Sequence, residues 1–373
     1  MYTFNEFHSE NPELASAAEC AVREVLKVKE DESVLIITNP ERDVANISYA
    51  LYDAVLFSGG RPVLIFQDHK SQFDYTEEPV LEAIGCEPDV CISLSAGKLG
   101  RDRRAELEPY TWEGKACDHV FQYLLAAGKT RSFWSPGVTE DMFAKTVPID
   151  YAELKARSAA IKAVLDESVS LEITNPLGTR VRVGIRGRRA FTDDGDFSLP
   201  GSGGNLPAGE TFISPALGTA EGTIVFDCSI TLHWGDCVIE TPISVDVSGG
   251  FIGDIRGGDE AKQLLETITM AEDNALSMEE EGKLPPGKGR VYAANARNLG
   301  EVGIGLNPAV QITGNMLGDE KTARTCHIAL GYNYDEDAPA LIHLDGLISR
   351  PTITAVSVDG SRRTFMRGGD LDL

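Results

Sequence analysis

The chain has 373 residues, 42% of them hydrophobic and 25% charged, a composition that excludes a disordered or fibrous chain and supplies more apolar material than one core usually organises. Asp and Glu outnumber Lys and Arg by 58 to 34, a formal charge of −24; that field repels phosphate backbones and anionic lipid, so neither nucleic acid nor a membrane surface is an expected partner. Seven cysteines, scattered and without a CxxC pair, give neither a disulfide framework nor a zinc ribbon, and the expectation is a cytoplasmic protein.

Residues 1–10 carry Glu6, His8 and Glu10 without an apolar run, and no uncharged apolar stretch of about 18 residues follows, so neither a secretion signal nor a membrane span is predicted. Leu14, Ala17, Ala18, Ala21, Val22, Val25 and Leu26 recur at helical spacing and predict a helix over 12–28. Ser33–Thr38 (SVLIIT) reads as a buried strand. A helix over 43–57, stopped by Gly59 and Gly60, precedes a strand over 62–66, and a helix ending at Gly85 precedes a strand over 89–94. Strands alternating with helices of this length predict βαβ units, hence an α/β doubly wound N-terminal domain.

A helix over 155–166 bridges to a different texture. From Leu171 onward short β-rich runs (LEITNP, RVRVGI, GTIVFDCSI, GGFIGDI) alternate with Gly, Asp, Asn and Pro, which predicts mostly antiparallel strands. Two helices interrupt them, over 259–281 and 319–330. The partition is an α/β domain over 1–165 and a β-rich α+β catalytic domain over 166–373.

Several motifs fail. AGKT at 127–130 lacks the first glycine of a phosphate loop, since position 123 is Tyr123. No GxGxxG follows the first strand, and neither HExxH nor GxSxG occurs. The α/β domain is therefore expected to bind no nucleotide.

The chemistry-bearing residues lie in the C-terminal half. His343 and Asp345 in LIHLDGLI are two apart on a predicted strand and project from one face; they make either a self-satisfied pair or two metal ligands. His327 in ARTCHIALGYNY falls on the predicted 319–330 helix, with Tyr334 seven residues later, and reads either as a core histidine or as a ligand. Glu210 ends the bendable loop GSGGNLPAGE, and Glu301 interrupts the apolar NLGEVGIGLNP; buried carboxylates cost several kcal/mol unless paired or bound to metal. Three carboxylates and two imidazoles suit two divalent ions such as zinc, cobalt or manganese, which activate water for amide hydrolysis.

NLPAGETFISP, GEVGIGLNP, the His327 segment with Tyr334, and HLD occur in an order that resembles the metallo-aminopeptidases of the aminopeptidase T family, over about residues 201–353. The resemblance implies a cytoplasmic homodimeric hydrolase acting on short peptides or small amides. It also implies that Glu210, Glu301, His327, His343 and Asp345 bind metal, that Glu301 bridges two ions, and that Tyr334 stabilises the oxyanion or completes a coordination sphere. One departure stands out: many members carry two consecutive acids in the first motif, whereas here Gly209 precedes Glu210, which leaves the general base and the substrate unassigned. Ring-cleaving dihydroxypyridine dioxygenases look like relatives of the same fold, and His327, His343 and Asp345 alone make a two-histidine, one-carboxylate triad for ferrous iron. A third alternative is a non-catalytic relative that binds a small molecule or a structural metal.

Overall fold

A computed structural model describes residues 11–71 and 74–373; the opening residues 1–10, with their lack of an apolar run, lie outside the described set. The chain forms two compact units: residues 11–155 together with Asp193–Ala208, and Ala156–Thr192 together with Gly209–Leu373. The division falls at 155/156, whereas the change of sequence texture predicts 165/166, and the 193–208 segment returns to the first unit. No composition shift marks either crossing.

In the first unit five parallel strands, β1 (Ser33–Thr38), β2 (Arg61–Phe66), β3 (Val90–Ser95), β4 (Arg131–Pro136) and β5 (Gly203–Asn205), line up in the order β5-β4-β3-β1-β2. The order reverses direction at β1, with β2 on one side and β3 on the other, as in a doubly wound sheet. β3 is buried at all six positions and β1 at five, as a strand covered on both faces requires, while β2 sits at the edge and leaves Val63 and Phe66 exposed. The predicted 12–28 helix divides into an α-helix, Pro12–Cys20, capped by the Asn11 side chain, and a wider π turn, Ala21–Val25. Among the described residues no helix is long and apolar enough to cross a membrane.

Arg131, at the start of β4, is buried, and its guanidinium grips both Glu32 oxygens, at 3.0 and 2.5 Å, while donating to the Leu26 carbonyl at 2.8 Å. Burial alone would raise the Glu32 pKa; the guanidinium outweighs it and holds the carboxyl below its ordinary value. The pair's contribution is therefore complete above the ordinary carboxylate pKa and fades as pH falls through that range. Arg131→Met strands the Glu32 charge and is expected to lower stability by about 3 kcal/mol, read as a shift of the urea midpoint at neutral pH that shrinks near pH 4. An unchanged midpoint at neutral pH would show that the pair contributes nothing.

The second unit holds two sheets of mainly antiparallel ladders. An eight-stranded sheet includes Glu221–Phe226 and Thr352–Ser357. A seven-stranded sheet runs, edge to edge, Gly235–Val238, Ser229–Leu232, β9 (His343–Ser349), β8 (Thr325–Gly331), β7 (Leu299–Gly305), β6 (Glu210–Ile213) and Phe191–Asp193. Val302, Ile304, Ile328 and Ile348 on one face are fully buried, as is Phe226, whose ring lies so close to Gly346 that a β-carbon there would fall 2.5 Å from it. Each such side chain contributes about 1.5–3 kcal/mol of burial. That face is spent on packing, and the opposite face is left to carry chemistry.

One expectation is overturned here. Residues 319–330 are not a helix: a single helical turn, Met316–Asp319, is followed by strand β8, so His327 stands on a strand. All seven β8 residues are buried, and a short apolar run buried on both faces has no period to separate strand from helix.

Candidate metal centre

Register brings the site together. Across the sheet Glu301 of β7 lies opposite Ala329 of β8, which lies opposite Asp345 of β9. One step along, Phe212 of β6, Gly303, His327 and Leu347 form the next row, while Glu210 faces Gly305 and His343 faces Gly331. Alternation puts all five candidate ligands on one face, and the positions between them are glycine or alanine. The space is obligatory at Gly303, where a β-carbon would fall 2.0 Å from the His327 ring. A shift of register between Leu299 and Glu301 re-aims Glu301, a common use of a bulge near functional sites.

The donor atoms fall into two groups whose members lie within 4.8 Å of one another: Glu210, Glu301 and His327, and Glu301, His343 and Asp345. Glu301 belongs to both. Its Oε1 is 3.0 Å from His327 Nε2 and its Oε2 is 3.4 Å from His343 Nε2; Glu210 Oε2 approaches His327 Nε2 at 3.4 Å, and Asp345 Oδ1 approaches His343 Nε2 at 3.5 Å. Glu210, Glu301, His327 and Asp345 are buried and His343 half-buried.

The residues fit a divalent metal on a specific ground. His343 donates its Nδ1 hydrogen to the Tyr332 carbonyl at 2.9 Å, so a neutral ring turns the Nε2 lone pair toward two carboxylates. Among the described residues Glu210 Oε2 and Asp345 Oδ1 find no hydrogen-bond partner although buried. Lone pairs converge on one space, and only positive charge resolves them. Without metal, protons take that part: burial opposes charging the imidazoles, but Glu301 raises the His327 pKa to about 9, and Asp345 and Glu301 raise that of His343 well above its usual value. The Glu301 carboxyl would be pushed up by burial, yet the two imidazoles bring it down to about 2.

Tyr334 follows β8, its ring centroid 5.4 Å from that of His343 and 5.1 Å from Phe212, which in turn stacks on Phe191 at 5.4 Å. The residue is 47% exposed; burial first, then Glu301, Asp345, Glu320 and Glu210, hold its hydroxyl pKa above the phenolic norm. Phe191, Phe212 and Tyr334 thus line one side of the acidic face.

Nothing in the sequence marks Lys321. In GDEKTARTC a lysine among charged neighbours reads as a solvated position, yet its side chain is fully buried, with Nζ 2.5 Å from Glu210 Oε1 and 2.6 Å from Glu320 Oε1. Gly209 also acquires a reason. Its φ is +139°, and a β-carbon would meet Asn307 Cβ at 2.7 Å, so an acid cannot stand there on this backbone. Gly209→Ala is expected to cost about 1–3 kcal/mol and to tilt Glu210, reducing metal content; a variant matching the parent in melting temperature and metal content would refute the strain.

The sequence model of the family described as "NicX: 2,5-dihydroxypyridine 5,6-dioxygenase" matches residues 138–327, just over half of the chain. No curated protein matches by sequence. Among solved structures, the 2,5-dihydroxypyridine dioxygenase of Pseudomonas putida KT2440 superposes with a TM-score of 0.71 at 18% identity, covering 98% of each chain. AmpT (aminopeptidase T) of Thermus thermophilus superposes with a TM-score of 0.66 at 20% identity, covering 97% of this chain and 99% of that one. The fold is thus common to an aminopeptidase and a dioxygenase.

Proposed function

We propose that this chain, which belongs to the family described as "NicX: 2,5-dihydroxypyridine 5,6-dioxygenase", is a metal-dependent hydrolase of the aminopeptidase kind, working with two divalent ions on an amide or N-terminal peptide bond. The observation that carries the reading is Glu301, whose two oxygens serve two separate donor groups.

Zinc, cobalt or manganese bound there would supply Lewis-acid polarisation of the scissile carbonyl and a water ionised near neutral pH. Glu301 would be shared between the two ions, one held with His327 and Glu210 and the other with His343 and Asp345. The Tyr332 carbonyl fixes the His343 tautomer. The Tyr334 hydroxyl donates to the oxyanion that develops on the carbonyl, and Phe191, Phe212 and Tyr334 offer an apolar wall to the substrate side chain. Short peptides or small amides are the proposed substrates, a homodimer the proposed assembly and the cytoplasm the proposed compartment.

The family match favours a second reading, a dioxygenase using one ferrous ion. Its triad of His327, His343 and Asp345 draws its histidines from different donor groups, and two further carboxylates crowd the positions that oxygen and substrate need. Elemental analysis of the purified protein, with turnover of aminoacyl amides and of dihydroxypyridines assayed in parallel, separates the readings. Two zinc, cobalt or manganese ions per chain with amide hydrolysis is the expected result; one iron with oxygen-dependent ring cleavage overturns it.

A further inference from the structure

The two donor groups are not equivalent. Glu301, His343 and Asp345 meet with little to compete for them: Asp345 Oδ1 makes no hydrogen bond, and the His343 ring is locked by the Tyr332 carbonyl so that Nε2 faces the carboxylates. On the other side, Glu210 is shared with a cation that belongs to the protein. The Lys321 ammonium, without solvent exposure, sits 2.5 Å from Glu210 Oε1, leaving only Oε2 to face His327. Among the described residues His327 has no orienting partner either, for its buried Nδ1 makes no hydrogen bond.

We infer that Lys321 is an internal counter-ion that sets the order of metal filling, with a tight ion at Glu301, His343 and Asp345 first and a weaker, exchangeable ion at Glu210, Glu301 and His327 second. The inference rests on the two-ion reading above. A carboxylate that already neutralises an ammonium attracts a dication less, and a fixed positive charge beside a ligand opposes a second one in a poorly screened interior. An unanchored imidazole also binds metal less well: losing the outer partner of a ligating histidine typically lowers affinity about 10- to 100-fold. Both effects act on the Glu210 side alone. The ammonium does not leave that carboxylate bare when the second ion departs, so the one-ion protein keeps its buried charges paired. Glu320, 2.6 Å from Lys321, holds the ammonium from the far side.

The test is a titration of metal-stripped protein with cobalt, followed by calorimetry and by visible absorption, neither of which requires turnover. Wild type is expected to take up two ions in steps at least tenfold apart in affinity, and Glu210→Gln to lose the second step alone. Lys321→Met by itself leaves the buried Glu210 and the half-buried Glu320 without their ammonium and risks misfolding, so the decisive variant is Lys321→Met combined with Glu320→Gln, which removes the ammonium and its outer partner together. It is expected to narrow the gap between the steps at least tenfold by tightening the second ion. Two equal steps in wild type, loss of the first step in Glu210→Gln, or a gap unchanged in the double variant overturns the assignment and leaves the two-ion reading standing. A single ion in both wild type and the double variant, up to millimolar cobalt, overturns both.

Discussion

Glu301→Gln is expected to bind neither metal ion and to show no measurable turnover, while circular dichroism and the unfolding midpoint report a folded protein. Each donor group loses the carboxylate it shares with the other, so affinity should fall at both positions by more than about 100-fold, the upper figure for losing merely an outer partner of a ligand. Glutamine keeps the side chain's shape and can still accept from a protonated imidazole, so packing is not what the variant disturbs. The contrast with one-sided variants is the diagnostic part. His343→Ala or Asp345→Ala should empty one position and abolish most turnover, and Glu210→Gln should empty the other. If Glu301→Gln retained one full equivalent of metal, the sharing deduced from the two oxygen distances would be wrong, and a mononuclear site would become the better description.

Tyr334→Phe carries the next largest effect. Its ring packs on His343 and Phe212, and the site's carboxylates help to hold its hydroxyl pKa above the phenolic norm. Deleting one oxyanion donor typically lowers kcat about 100- to 1,000-fold, or roughly 3 to 4 kcal/mol, with KM little changed because the bond forms in the transition state. Phenylalanine preserves the ring contacts, so stability and metal content should not move. Tyr332 is the internal control: its contribution is its backbone carbonyl, which holds His343, and Tyr332→Phe leaves that group in place. Wild-type kcat in Tyr334→Phe together with a large loss in Tyr332→Phe would transfer the role by two residues; silence in both would remove it.

Much of this arrangement is legible in the amino-acid sequence alone. The two-residue period of a strand puts His343 and Asp345 side by side wherever that strand pairs, and Glu301 announces itself as an acid in an apolar, glycine-rich run. The doubly wound sheet follows from strands alternating with helices, and β1 matches its predicted range to the residue. His327 reads as helical because every position of β8 is buried, erasing the alternation that would mark a strand. Lys321 is invisible for a different reason: its meaning lies in Glu210, 111 positions away in the chain, and local charge density argues only for solvation. The glycines are readable as flexibility but not as space, since Gly303 matters for a ring that only the β7–β8 register places against it.

The fifth strand of the N-terminal sheet bears on how the protein is made. β5 comes from residues 203–205 and pairs only with β4, which ends at Pro136. During synthesis the four strands that precede it emerge and can pair well before it does. At about 5–20 residues per second, the 66 residues from Gly137 to Ser202 leave the outer edge of β4 bare for several seconds. Exposed strand edges template intermolecular pairing. The nascent chain therefore passes through an adhesive interval that the finished protein no longer displays, and an expression fragment cut at residue 155 would be held in it permanently.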